Sequence, residues 1–196
     1  MYRTMELYEG IQTSKVVFAG LDKAGKSSII LALQKELSQL DALKPTRMAE
    51  RKIFNFLGKK IASWDLGGQE RYRASYLEDP LKYFEETKVF IYVVDVQDKQ
   101  RYNESTTYFA DIIKIMQKHE ISPETYLFIH KFDPDYKTQL QKEDEDHIND
   151  LATKFKENNP SNSKLIIYQT SIYKPFSITT AFTKIVNKIH PSEKDS

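Results

Sequence analysis

The 196-residue sequence contains no cysteine. Disulfides, thiolate metal sites and cysteine nucleophiles are therefore excluded, as are prenylation and palmitoylation, which need a thiol. Charge of one sign is also lacking: 29 basic residues stand against 28 acidic ones, for a net charge of +1. Without a positive field, general binding to nucleic acid or to an anionic membrane surface is not expected. No stretch approaches the roughly 20 apolar residues of a membrane span. Residues 1–12 carry charges throughout and lack the apolar run of a signal peptide. Residue 2 is Tyr2, not the glycine that N-myristoylation requires. These absences predict a soluble, cytoplasmic protein with no direct lipid anchor, recruited to any membrane through a partner. The chain shows neither an internal repeat nor a low-complexity tract.

What is present is enough for one core: 40% of the residues are hydrophobic. From Ser14 onward, apolar strand-like runs alternate with helical patterns. Lys15–Phe18 reads as a strand. Lys26–Leu40 reads as a helix, with Ile29, Ile30, Leu33, Leu37 and Leu40 on one side. Ile53–Phe56 and Lys60–Trp64 predict two strands joined at Leu57-Gly58, an antiparallel hairpin. Val89–Val94 is apolar enough for a strand covered on both faces. Strands over Tyr126–His130 and Leu165–Tyr168 follow, with helices over Ser105–His119, Asp144–Lys156 and Ser177–Ile189. The expectation is an α/β domain of three layers: a mostly parallel six-stranded sheet with one antiparallel edge strand and helices on both faces. Residues 14–190 would form this domain, residues 1–13 an N-terminal extension, and residues 191–196 a disordered tail.

In such folds ligands bind beyond the carboxyl ends of the strands, and chemically suggestive residues gather there. Gly20-Leu21-Asp22-Lys23-Ala24-Gly25-Lys26-Ser27 fits the phosphate-binding loop G-x-x-x-x-G-K-[ST] between a strand and a helix. Gly20 and Gly25 permit backbone shapes and a close approach that a side chain would block. The loop amides, Asp22, Lys23, Ala24 and Ser28 included, would point at phosphate oxygens at the positive end of a helix. Lys26 would reach the β- and γ-phosphates, and Ser27 would place its hydroxyl on Mg²⁺. Asp65 leaves an apolar strand where a carboxylate linked to the same metal is needed. Gly68 would bring its amide to the γ-phosphate, and Gln69 would orient an attacking water. Thr46, in Lys44-Pro45-Thr46, would add a hydroxyl to Mg²⁺ only while the γ-phosphate is present, which makes its loop a switch.

The next two strand ends carry His130-Lys131-Phe132-Asp133 and Thr170-Ser171-Ile172. The Asp133 carboxylate can accept hydrogen bonds from guanine N1–H and N2–H₂. Adenine lacks that donor pair, and the mismatch would discriminate on the order of 10²- to 10⁵-fold. Lys131 can lie along the base, Ser171 can brace Asp133, and the Ile172 amide can reach guanine O6. His130, read alone, would be an ordinary structural histidine, but its neighbours place it in the site. His119, His147 and His190 lack metal-site spacing.

These motifs occur in the order of the five guanine-nucleotide motifs of the Ras superfamily. The chain resembles most the Rag/Gtr GTPase family. Phe128–Asp133 and Thr170–Tyr173 are similar to its RagC/RagD branch, where His stands in place of the usual Asn, as His130 does here. Gly20–Gly25 and Trp64–Glu70 look like the Arf branch as well. The resemblance implies a P-loop G domain that binds GTP and GDP with Mg²⁺ and hydrolyses GTP slowly, with Lys26 and Gln69 as catalytic residues. The alternative is a guanine-nucleotide-bound scaffold with little hydrolysis. An activating protein, an exchange factor and effectors would bind at Leu43–Arg51 and Glu70–Tyr83, with Trp64, Tyr72, Tyr76 and Leu77 as candidate anchors. No arginine is obviously aimed at the site; Arg47, Arg71 and Arg73 lie in those segments. The family pairs through a roadblock-type domain, and this sequence stops where it would begin; a homo- or heterodimer with another small GTPase is the implied assembly.

Overall fold

Apolar runs too continuous for surface strands become the centre of one sheet. The computed structural model describes residues 13–159 and 164–191. The expected extension up to residue 12 and the tail beyond Pro191 lie outside the described residues. Among these, six strands, β1 (Ser14–Ala19), β2 (Ala49–Phe56), β3 (Lys59–Leu66), β4 (Thr87–Asp95), β5 (Glu124–His130) and β6 (Ile166–Gln169), form a sheet in the order β2-β3-β1-β4-β5-β6. β2 is antiparallel to β3, and the remaining neighbours are parallel. This is the expected architecture. The hairpin turns on Leu57 and Gly58 at φ 49° and 75°, the positive-φ pair that matches strand twist.

Alternation along the buried strands supplies two cores. Val89, Ile91 and Val93 face one side of β4 with Val16 and Phe18, packing on Ile29, Ile30, Phe182 and Ile185. Phe90, Tyr92 and Val94 face the other, against Phe109, Ile112, Leu151 and Phe155. Each such fully buried side chain contributes roughly 1.5–3 kcal/mol. The helices are α1 (Lys26–Gln34), α2 (Glu70–Glu78), α3 (Pro80–Phe84), α4 (Tyr102–Lys118), α5 (Pro134–Gln139), α6 (Lys142–Glu157) and α7 (Pro175–Ile189). Periodicity does not single out α2, α3 and α5, which are short or strongly polar.

The first helix is shorter than its pattern. α1 stops at Gln34, where Lys35 turns left-handed at φ 62°. Its N–H bonds the Ala32 carbonyl at 3.2 Å, and the Glu36 N–H bonds that of Leu31 at 2.9 Å, a paired closure that ends a helix. Leu37 still packs on the core from a separate 3₁₀ segment, Leu37–Ala42, which is why the apolar period runs on past the helix.

Candidate functional site

The carboxyl ends of β1, β3, β4, β5 and β6 share one edge of the sheet, and the phosphate-loop residues occupy its middle. Gly20 sits at φ 140°, where an added Cβ would fall 2.2 Å from the Val93 carbonyl oxygen. Gly25 sits at φ 97°, its missing Cβ replaced by the His130 ring, whose Cδ2 would lie 2.4 Å away. Asp22, Lys23, Gly25, Lys26, Ser27, Ser28, Thr46, Gly68, Gln69 and Lys131 line one cleft of about 380 Å³; Gly20 and Ala24 are buried behind it. Lys26 is only 5% exposed. Its ammonium donates to the carbonyls of Gly20 at 3.0 Å and Leu21 at 2.8 Å. Burial lowers its pKa to about 8, opposed by the nearby Asp65 charge. A cation held in that state is stabilised by an anion entering the cleft.

Ser27, Thr46 and Asp65 come together. The Ser27 hydroxyl donates to Asp65 Oδ2 and lies 3.0 Å from Thr46 Oγ1, which donates to the same carboxylate oxygen at 3.0 Å. Asp65 Oδ1 is buried without a hydrogen-bond partner among the described residues. Among the same residues no trio of His, Cys, Asp or Glu gathers at a metal-binding distance. Three hard oxygen donors with one orphaned carboxylate oxygen nevertheless suit a divalent cation such as Mg²⁺.

The two loops bearing Thr46 and Gly68 touch each other and the phosphate loop. The Gly67 N–H bonds the Met48 carbonyl at 2.7 Å. A Cβ on Gly68 would fall 2.1 Å from the Leu21 carbonyl carbon. Gln69 caps α2, its carbonyl accepting from the Tyr72 N–H at 2.9 Å. Of the expected partner anchors, Tyr76 belongs instead to the core. It is fully buried, and its hydroxyl donates to the carbonyls of Met48 at 2.8 Å and Gly67 at 3.2 Å. Trp64, Tyr72 and Leu77 are partly buried against the same core. The exposed apolar side chains here are Leu43, Met48 and Leu81.

The ends of β5 and β6 interlock. His130 is buried, its Nδ1 2.9 Å from Thr170 Oγ1. Burial, aided by the Lys131 charge, lowers its pKa to about 4, so the ring is neutral. Lys131 adopts φ 59° and its ammonium pairs with Asp95 Oδ2 at 2.6 Å. Asp133 Oδ1 accepts from the Ser171 hydroxyl at 2.5 Å. Asp133 faces a neighbouring concavity of about 510 Å³ with Gln97 and Tyr173, not the phosphate cleft. Ile172 is half-buried and packs on the core.

Three residues at or just beyond β4 are not singled out by sequence reasoning: Asp95, Gln97 and Arg101. Arg101 reaches Asp22 Oδ1 at 2.7 Å, the Asp22 carbonyl at 3.1 Å and Asp98 Oδ2 at 2.6 Å. The Asp22 side chain is thus engaged by Arg101. Asp95, a carboxylate at the end of a buried strand, carries the same signal as Asp65. Gln97 and Arg101 carry none. Among the described residues no arginine lines the cleft: Arg73 pairs with Glu104 at 2.5 Å and covers the Tyr108 ring, and Arg71 covers Tyr72.

The family model described as the Gtr1/RagA G protein conserved region matches residues 15–194. ADP-ribosylation factor-like protein 3 of Chlamydomonas reinhardtii is 33% identical over 88 residues, 45% of this chain and 46% of that protein. ADP-ribosylation factor F of Dictyostelium discoideum is 33% identical over 95 residues, 48% and 47% of the two. The chain spans about half the length of the curated relatives it matches. The structure of the Arl6 BBS3 small GTPase from Trypanosoma brucei, with bound nucleotide analogue GppNp, aligns with a TM-score of 0.70 at 18% identity, covering 91% of this chain and 98% of that one. That likeness establishes the fold. Since the family model spans nearly the whole domain that builds the cleft, the chain belongs to the Gtr1/RagA G-protein family, within the Ras-superfamily small GTPases and with Arf-like features.

Proposed function

We propose that this protein is a GTP-binding switch that hydrolyses GTP slowly. The observation that carries the reading is the meeting of Ser27, Thr46 and Asp65, with Ser27 and Asp65 38 positions apart, while Gly68 lies against the phosphate loop. Two separate loops then contact whatever fills the cleft, so loss of a γ-phosphate changes both. Lys26 and the loop amides hold the phosphates, Asp133 with Ser171 reads guanine, and His130 supports Gly25 from beneath. The Ile172 amide reaches the base and Lys131 lies along it. A bound Mg²⁺ would draw on Ser27, Thr46 and Asp65 and offset charge on the phosphates.

Gln69 orients the attacking water. Because no described arginine lines the cleft, turnover without a partner is slow, and an activating protein that supplies one accelerates it roughly 10³- to 10⁵-fold. Exchange factor, activator and effectors meet the exposed Leu43, Met48 and Leu81, and another small GTPase is a candidate dimer partner. No described helix is long and apolar enough to cross a membrane; membrane recruitment, where it occurs, runs through a partner. The same lack of an arginine is what favours the second reading, a guanine-nucleotide-bound scaffold that hardly turns over.

The test is to extract the nucleotide from purified protein and follow exchange and hydrolysis with Mg²⁺. Guanine nucleotide that is slowly converted supports the switch; guanine nucleotide never converted supports the scaffold; competition by ATP rejects guanine recognition. With an activator, Gln69→Leu is expected to lower turnover on the order of 10²-fold with GTP affinity unchanged. Unaltered activated turnover would remove Gln69 from the mechanism.

A further inference from the structure

Two side chains at the exit of β4 have no part in the function just proposed, yet both engage the residues proposed to read the base. Asp95 closes β4 and lies in register with His130 of β5. Its Oδ2 accepts from the Lys131 ammonium at 2.6 Å, and its Oδ1 accepts from the Gln97 backbone N–H at 2.9 Å. The Gln97 carboxamide nitrogen then donates twice, to the Lys131 carbonyl at 2.8 Å and to Asp133 Oδ2 at 3.1 Å. An amide nitrogen has two hydrogens, so both are used. The Val96 N–H also bonds the His130 carbonyl at 3.0 Å. The segment 95–97 is therefore laced to 130–133 through main chain and side chain.

The consequence falls on the Asp133 carboxylate. Ser171, beyond β6, holds Oδ1, and Gln97, beyond β4, holds Oδ2. A carboxylate offers about four lone-pair sites, so these two bonds leave room for incoming donors while removing the rotation that an aspartate otherwise keeps about its last torsion. Asp95, at the ammonium, and Gln97, at the main-chain carbonyl, hold Lys131, which stands in the left-handed region at φ 59°, a backbone state kept only where the surroundings over-determine it.

We propose that Gln97, backed by Asp95, is a positioning residue that determines base specificity: it sets the plane of the Asp133 carboxylate so that one group accepts both the N1–H and the N2–H₂ of guanine. This rests on the guanine reading of Asp133. Inosine keeps N1–H and lacks the 2-amino group, so the ratio of GDP to IDP affinity measures the second hydrogen bond, the one that depends on the plane. A bridge that only caps a surface loop would not move that ratio.

The experiment uses the full chain with Mg²⁺ and displaces a fluorescent GDP analogue with unlabelled GDP, IDP and GTP, for wild type, Gln97→Ala and Gln97→Glu. In Gln97→Ala we expect GDP affinity to fall on the order of tenfold and IDP affinity only about two- to threefold, so that selectivity drops about three- to fivefold. GTP should lose as much as GDP, because the change lies at the base. Gln97→Glu keeps the shape but removes both donors and sets a second carboxylate beside Asp133. It should lose at least as much, and it carries the test if the alanine variant does not fold. Equal losses for GDP and IDP, an unchanged ratio, or a loss confined to GTP would each overturn the proposal. A wild-type protein that does not prefer GDP to IDP would instead overturn the guanine reading beneath it.

Discussion

The two ends of the candidate site are built differently. At the phosphate end, three loops meet through hydroxyls, glycine backbones and one buried lysine, and Asp65 Oδ1 is left without a partner among the described residues. At the base end, the extensions of β4, β5 and β6 are tied by Asp95–Lys131, Gln97–Asp133, Ser171–Asp133 and His130–Thr170, and both Asp133 oxygens are held. An end whose polar groups satisfy one another keeps its shape whether or not a ligand is present. An end with an orphaned carboxylate oxygen and loops that touch only locally gains its remaining contacts from the ligand. In the proposed switch this difference would separate recognition, which needs a rigid template, from sensing, which needs parts that respond.

The largest effect is expected at the rigid end. Asp133→Asn replaces one acceptor oxygen with a donor nitrogen. It should lower guanine affinity on the order of 10²- to 10⁵-fold and admit xanthine, which carries a carbonyl where guanine has its amine. Competition binding with GDP and XDP checks this; retained guanine preference would mean that Asp133 does not read the base.

A smaller effect is expected from the residue that joins the two ends. His130 is neutral and its folded pKa of about 4 lies below its unfolded value of 6.5. The unfolded chain therefore binds more protons between those values, and stability falls as pH drops through 6.5, by up to about 3 kcal/mol near pH 4. His130→Asn should remove that part of the acid sensitivity. Urea unfolding at pH 7 and pH 4.5 measures it, and equal acid losses in the two proteins would contradict a buried neutral ring.

The smallest effect is expected where a surface bridge steadies the phosphate loop. Arg101 and Asp22 are each about a third exposed, so the pair is screened and worth little in stability. Arg101→Ala should speed nucleotide release about two- to fivefold and leave the melting temperature nearly unchanged. Release at the wild-type rate would show that the loop holds itself.

Much of the fold and the site is legible in the sequence. Gly20 and Gly25, Asp65, Gln69 and Asp133 stand at strand ends that apolar runs announce, and the family model agrees with the family that these motifs resemble. Tyr76 is different: the sequence offers it as a partner anchor in the segment Glu70–Tyr83, and only the Met48 and Gly67 carbonyls beside it show where its hydroxyl goes. The helical period overstates the length of α1 because Leu37 continues it from a separate segment. Gln97 and Arg101 stay hidden because neither chemistry nor spacing distinguishes them from other polar loop residues.

The alternation of strands and helices, the sharp turn at Leu57-Gly58 and the chemical kind of each loop are written locally in the chain. These depend on backbone preferences and side-chain periods that act over a few neighbouring residues. The tertiary structure alone decided which of those residues meet. Asp22 and Arg101 are 79 positions apart and Gln97 and Asp133 are 36; they touch because β4 lies between β1 and β5 in the sheet. Strand order is set by packing two apolar faces at once, a condition on the whole chain that no short stretch of it contains.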